Sequence, residues 1–266
     1  MPEKLTLDEV KHIQLEILDY VDKTLKAAGI EYWLDGGTLL GCIRHKGYIP
    51  WDDDIDLIVR RRDYHKAIDA LSKDDRFKAL SMYNNDGYFY LFAKVTDSHT
   101  HIVEKDAAAI PELGIYVDLF PLDTLPDDED RRNKFYDRIF RLRSLLFYSL
   151  IPKEKYKTAS AAKKIKHHLG RLYGWKRAMR KIDSLCVKSS ASNTKYAVDI
   201  VAAWHKHRDV VLSAFDETIE GEFEGRMYPI PKGYHDYLTA LYGDYMQLPP
   251  ESERVLKHDF AAYKIK

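Results

Sequence analysis

The sequence predicts an α/β protein, α+β in the way its elements segregate: a mixed-sheet core over residues 1–126, then a mainly helical, basic part over residues 127–266 packed on that core. Three observations carry this. Short apolar runs alternate with helix-period segments up to about residue 125. An acidic quartet, Asp127-Asp128-Glu129-Asp130, then marks a boundary, because it suits the positive end of a new helix. Beyond it, Arg131 to Cys186 holds 17 Lys+Arg against 3 Asp+Glu, with helical patterning and almost no turn residues.

In order along the chain, Val10, Ile13, Ile17 and Val21 have helical spacing, Thr6 with Glu9 resembles a capping box, and Gly29 suits the helix end. Ile30 to Leu34 reads as a short strand, Gly36-Gly37 as a tight turn, and Thr38 to Ile43 as one or two helical turns. Ile55 to Val59 is an apolar strand broken only by Asp56. Tyr64, Ile68 and Leu71 share a helix face in a segment that runs to Phe77. Strands follow at Phe89 to Val95, His101 to Glu104 and Ile115 to Phe120. Near the end, a short helix is expected around Tyr234 to Leu241 in a stretch rich in Tyr and Pro. No internal repeat is found.

Composition narrows the class further. With 266 residues, 45% hydrophobic and 32% charged, and only 13 Gly and 10 Pro, the chain can bury a sizeable core, and wholesale disorder is excluded. Two cysteines, Cys42 and Cys186, make neither a disulfide framework nor a metal-ligand spacing and read as reduced thiols of a cytoplasmic protein. The start, MPEKLTLDEV, has no apolar h-region, so no cleaved signal is expected. The longest uncharged apolar stretch, Ser144 to Ile151, is far short of the roughly 18 residues a membrane span needs. Any membrane contact is expected to be peripheral, at the inner face.

The chemistry is concentrated in LDGGTLLGCIRHKGYIPWDDDIDLIV, Leu34 to Val59. Alternation along a strand puts Asp54 and Asp56 on one face, about 7 Å apart at their Cα atoms. Such a pair converges on a hard cation, and Mg²⁺, which takes oxygen ligands and retains substrate phosphates, is the natural partner. A solvated acidic turn accounts for Asp52 and Asp53 well. It fails for Asp56, between Ile55 and Leu57, where an uncompensated carboxylate is costly. Upstream, Gly36-Gly37-Thr38 at a strand-to-helix junction exposes backbone N–H groups that accept a phosphate. A glycine turn that holds phosphate and acids that hold its metal divide the work as phosphoryl transfer requires.

At this point a resemblance emerges. The Gly-Gly-Thr turn followed by Asp54-Ile55-Asp56-Leu57 looks like the signature of the nucleotidyltransferase fold of polymerase β-like enzymes. More narrowly, GGTLLGCIRHKGYIPWDDDIDL, YVDLFPLD (Tyr116 to Asp123) and YGDYMQLPP (Tyr242 to Pro250) resemble, in that order, the LicD family of bacterial phosphorylcholine transferases and related fukutin-type enzymes. The superfamily pattern takes a third acid from a neighbouring strand, and Asp118, between Val117 and Leu119, matches it. Asp123, past Pro121, is read as structural.

The resemblance implies a phosphotransferase dependent on Mg²⁺, or Mn²⁺ in its place. It would move phosphocholine or a similar phospho-alcohol from a CDP-activated donor such as CDP-choline to a sugar hydroxyl, releasing CMP. The acceptor would be an anionic or lipid-linked glycan of the teichoic acid or lipopolysaccharide type. Asp54, Asp56 and Asp118 would be the catalytic metal ligands, with Asp52 in support. Arg44 and Lys46 would hold the diphosphate, and His45 would contact phosphate or acceptor; a solvated basic loop is the competing reading. Trp51 either stacks on a base or packs under the loop. Two other functions stay open: transfer of the nucleotidyl group itself, and a non-catalytic glycan- or nucleotide-binding module. The basic helical region is either solvated or set against an anionic polymer or membrane. It lacks a nucleic-acid motif, and no nucleic acid partner is expected.

Overall fold

The structure, a computed structural model, describes residues 3–104, 110–152, 156, 160–190, 194–201, 209–256 and 260–265. Residues 153–155 and 157–159, inside the basic region, lie outside the described residues. Helix α1 (Leu7–Ala27) starts where its capping box puts it: Thr6 Oγ1 accepts from Glu9 N, and Thr6 N donates to Glu9 Oε2 at 2.7 Å. Its apolar face, Val10, Ile17, Leu18, Val21 and Leu25, is buried. Gly29 follows at φ +65°.

A sheet of strands β2 (Trp33–Leu34), β3 (Asp56–Arg60), β4 (Phe77–Leu80), β5 (Ala93–Asp97) and β7 (Tyr116–Leu125) has the order β2-β3-β7-β5-β4. Only β3 and β7 run parallel within it. Helix α2 (Gly36–His45) joins β2 to the loop before β3, and α3 (Arg61–Leu71) follows β3 directly. Strand β7 changes partner along one edge: Tyr116–Leu119 pair with β5, and Asp123–Leu125 pair with β8 (Tyr196–Val198). Pro121, which has no N–H to offer, falls in the gap.

After residue 127 come three helices, α4 (Glu129–Leu150), α5 (Ala161–Tyr173) and α6 (Trp175–Ser190), and α4 opens with Asp128 capping Arg131 N at 2.9 Å. Then the chain returns strands to the core. Strand β9 (Val210–Val211) extends β8, and the hairpin β10 (Thr218–Phe223) and β11 (Arg226–Pro231) packs on β2, with Trp33 Nε1 donating to Thr218 Oγ1 at 2.9 Å. Helix α7 (Tyr234–Tyr242) follows, and β12 (Phe260–Lys264) lies between β1 (Glu3–Lys4) and β6 (Thr100–Glu104) in a small second sheet.

Several expected boundaries move. The helix expected to reach Phe77 stops at Leu71, because Asp74 Oδ1 accepts from the backbone of both Arg76 and Phe77 and turns the chain into β4. The strand expected from Phe89 pairs only from Ala93. Ahead of it Phe89, Tyr90 and Phe92 form a chain of ring contacts. The Gly36-Gly37 turn is itself the first turn of α2.

One buried ion pair ties the layers together. Arg61, at the start of α3, reaches Asp123 on β7 with both arms of its fork (2.7 and 2.8 Å) and Asp183 on α6 at 3.1 Å. The side chains of Arg61 and Asp123 are 3% and 0% exposed, so Asp123 is structural, as its sequence position suggests. Removing one partner strands the other in the interior. Arg61→Met should therefore lower the unfolding free energy in urea by about 3–5 kcal/mol, and adding Asp123→Leu should recover most of it. A loss for Arg61→Met no larger than that of a surface pair, about 1 kcal/mol or less, would show that the pair does not hold the layers.

Candidate active site

Strand pairing assembles the centre. Asp56, first residue of β3, is the register partner of Asp118 on β7, and Asp118 is the register partner of Lys94 on β5. Side chains at paired positions project to the same face, so the three charges stand in a row across three strands. Asp118 N donates to Ile55 O at 2.9 Å, which fixes this alignment at the edge of the pairing. Burial, then the charges of Asp54, Asp118, Asp35 and Asp52, pushes the Asp56 carboxyl well above the ordinary carboxylate range. Asp54, Asp56 and Asp118 thus lie together.

Asp52 and Asp53 do not form the solvated turn that was the alternative reading of them: they are 7% and 3% exposed. Burial of α1 is the reason, since Gln14, itself buried, donates to Asp53 O at 3.0 Å and pulls the turn onto the helix. Oxygens of Asp52, Asp53 and Asp54 all lie within 4.8 Å of one another.

The N-terminus of α2 abuts these acids. A Cβ built on Gly37 would stand 2.6 Å from Asp52 Oδ2, and one on Gly36, at φ +49°, 3.3 Å from Asp56 Oδ2. Only glycine lets the helix end and the carboxylates approach so closely. Thr38 Oγ1 accepts from Asp56 N at 2.9 Å and pins β3 to α2. Asp35, the residue before α2, is buried and accepts a hydrogen bond from Tyr237 Oη of α7. Burial raises its carboxyl above the ordinary range.

The cationic cluster is arranged differently from its sequence reading. Arg44 Nη1 donates to the carbonyls of Tyr245 (2.8 Å) and Gln247 (3.4 Å), and its Nε donates to His45 Nε2 at 2.9 Å. Burial and the Arg44 charge lower the His45 pKa. His45 meets Trp51 edge-on at 6.2 Å, and Arg254 lies 5.4 Å over the same indole. Lys46 is exposed in the left-handed conformation, and its carbonyl accepts from Glu224 N. The YGDYMQLPP block therefore meets both ends of α2: the last turn through Arg44, and the glycine turn through Tyr242, whose hydroxyl lies 3.7 Å from where a Gly36 Cβ would be.

Sequence reasoning missed Lys94, 3% exposed, whose Nζ donates to Asp118 Oδ1 at 2.7 Å. Its ammonium lies 3.4 Å from the Tyr116 ring centroid, 4.8 Å from Tyr90 and 5.1 Å from Phe92. A lone cation inside an apolar run was the available signal, the same one that marks Asp56. Tyr237 and Asp35 carried no comparable signal, since 202 positions separate them. The donor set is all hard oxygen with an excess of negative charge, and it suits a divalent cation of the Mg²⁺ type.

Comparison with known proteins gives the family. Residues 29–147 match the family model described as LicD/FKTN/FKRP, nucleotidyltransferase domain. The chain is 30% identical to the lipopolysaccharide cholinephosphotransferase LicD of Haemophilus influenzae over 98% of each chain. It is 52% identical to human ribitol 5-phosphate transferase FKRP across 18% of this chain and 10% of that protein, and 45% identical to mouse ribitol-5-phosphate transferase FKTN across 20% and 12%.

A carboxyl whose folded pKa lies above its unfolded value stabilises the fold in acid and loses that contribution as pH rises through the folded value. Without a divalent cation, the melting temperature should therefore fall as pH rises past the ordinary carboxylate range toward neutrality. Asp56→Asn should lessen that slope, leaving the part due to Asp35, and raise the neutral-pH value by about 2–4 °C, the shift that roughly 1 kcal/mol gives in a chain of this size. A variant melting below the parent at neutral pH would contradict the charge crowding.

Proposed function

The chain belongs to the LicD family, and from that premise we propose that it is a Mg²⁺-dependent phosphotransferase that moves phosphocholine from CDP-choline to a sugar hydroxyl of a cell-surface glycan precursor, releasing CMP. The observation that carries this is the pairing of Asp56 with Asp118 directly against the glycine-led start of α2. The relative from Haemophilus influenzae is named for choline phosphate and lipopolysaccharide. A lipopolysaccharide-type acceptor is accordingly the first choice here and a teichoic acid-type polymer the second.

Asp54, Asp56 and Asp118 would hold the cation, with Asp52 supporting them. Mn²⁺ would serve the same oxygen set. When bound, the cation supplies charge neutralisation to the diphosphate and the leaving CMP. The chain's own groups do the rest. The first N–H groups of α2, at its positive end, would take phosphate oxygens, with the Gly36 N–H now engaged by the Asp35 carboxylate. Asp118, which accepts a hydrogen bond from Lys94 Nζ, would also accept the proton of the sugar hydroxyl. The Tyr90, Phe92 and Tyr116 rings surround the Lys94 ammonium and hold it against Asp118. Arg44 and His45 would turn toward the diphosphate as the 245–247 segment yields, with Lys46 and Trp51 at the rim. Two buried free thiols, Cys42 and Cys186, suit a cytoplasmic enzyme.

A thermal-shift panel with Mg²⁺ and CDP-choline, CDP-ribitol, CDP-glycerol or CDP-ethanolamine tests the donor, and one selective shift is expected. Equal shifts from all four would sink the donor assignment. With donor and glycan acceptor together, ³¹P spectra should show CMP and a phosphodiester. Release of pyrophosphate or of free phosphocholine would point instead to nucleotidyl transfer. Asp56→Ala and Asp118→Asn should each cost at least about 100-fold in turnover, since even residues that only support metal ligands cost 10–100-fold.

A further inference from the structure

Helix α5 wears its apolar residues on the outside. Ile165, Leu169 and Leu172 are 60%, 49% and 77% exposed, at the i, i+4, i+7 spacing of one stripe. At about 100° per residue they fall within an arc of about 60°, whose centre lies about 160° from that of the buried His167 and Gly170. The packed side is secured: a Cβ on Gly170 would lie 2.8 Å from Leu145 O and 3.0 Å from Ser149 N, so α4 crosses α5 at backbone contact there. His167 Nε2 adds a hydrogen bond to Ile151 O at 3.0 Å. The stripe is therefore the face turned away from the protein.

Charge frames the stripe. Around the helix, Lys166 flanks one side and Lys164, His168 and Arg171 the other, and α5 contains no acidic residue. The basic surface continues beyond its C-terminus, where Tyr173, Trp175, Arg177, Arg180 and Lys181 line a cleft at the start of α6. Helix α5 has 13 residues, and no helix of the described residues is long and apolar enough to cross a membrane. A short apolar stripe between rows of cations, with an aromatic belt at one end, fits the boundary of an anionic bilayer, apolar side chains in the acyl region and cations at the headgroups. A second copy of the chain fits poorly, because pairing α5 with itself would oppose like charges with no acid to relieve them.

We propose that α5 is an interfacial helix that docks the protein on an anionic lipid surface through Ile165, Leu169 and Leu172, with Lys164, Lys166 and Arg171 as headgroup contacts. This surface is independent of the choice of donor and of the carboxylate centre. It would bring the enzyme to an acceptor that is itself lipid-anchored.

Vesicle flotation of the full chain tests it, with phosphatidylcholine alone and with about 30% phosphatidylglycerol added. The wild-type protein should float with the anionic vesicles, and less so as salt rises. Ile165→Ser/Leu169→Ser/Leu172→Ser should lower the partition coefficient at least about tenfold on the same vesicles. Lys164→Glu/Lys166→Glu/Arg171→Glu should lower it on the order of 100-fold, and these side chains are exposed enough for either variant to fold. Wild-type protein that stays with the soluble fraction, or a serine variant that floats as well as the parent, would overturn the proposal. So would sedimentation equilibrium showing a wild-type dimer that the serine variant turns into a monomer. Because all six positions are remote from the carboxylates in sequence and element, phosphotransfer to a soluble acceptor should persist in both variants. Lost flotation with intact transfer thus bears on this inference alone.

Discussion

Carboxylates resist being gathered, and the structure is organised around gathering them. Asp52, Asp54, Asp56 and Asp118 would separate if their backbones were free, because each raises the cost of charge on its neighbour. Parallel pairing of β3 and β7 removes that freedom for Asp56 and Asp118. The packing of α1 on the turn that carries Asp53 removes it for the residues before the strand. Local repulsion is thus opposed by backbone hydrogen bonds and apolar burial elsewhere, the usual way a site stores an unfavourable arrangement. Lys94 relieves part of it. Its ammonium, walled by three aromatic rings, faces Asp118 from the adjacent strand and not from a loop, so its position is as fixed as the sheet.

The acids and the helix end they abut are then closed in from the C-terminal side. Tyr237 of α7 donates to Asp35 just before α2, and Arg44 at the other end of α2 binds the backbone of residues 245 and 247. One ten-residue helix is held at both ends by a single later segment. The hairpin contributes as well: Glu224, at φ +52° in its turn, receives Tyr48 N and gives its own N–H to Lys46 O. Between them these contacts set the loop that delivers the acids to β3.

What the sequence disclosed, and what it withheld, divide along one physical line. The capping box at Thr6, the glycine after α1, the charged residue in an apolar run at Asp56 and the matching acid at Asp118 are all local patterns, and each lies where its pattern placed it. Local pattern also explains why a solvated turn stayed open as a reading of Asp52 and Asp53. Three consecutive acids look solvated until α1, 39 positions earlier, covers them. The C-terminal strands were illegible for a related cause. Segments such as Thr218–Phe223 have weak alternation, and their pairing is decided by an Asx-free hairpin turn and by strands far away in sequence. The exposed stripe of α5 shows the converse: its helical period was readable, but which side faced inward needed Gly170 and α4.

The contacts that close the site differ greatly in the length of chain they must loop. Asp56 and Asp118 are 62 positions apart, whereas Tyr237 and Asp35 are 202 apart. Loop closure grows with the logarithm of length, so the second contact costs only about 1 kcal/mol more entropy than the first. The larger consequence is reach. Tyr237 and Leu238 are buried in the same core as the sheet, and the Tyr237 hydroxyl meets Asp35 just before α2, so a change in α7 is felt at the helix end beside the carboxylates although 202 positions separate them.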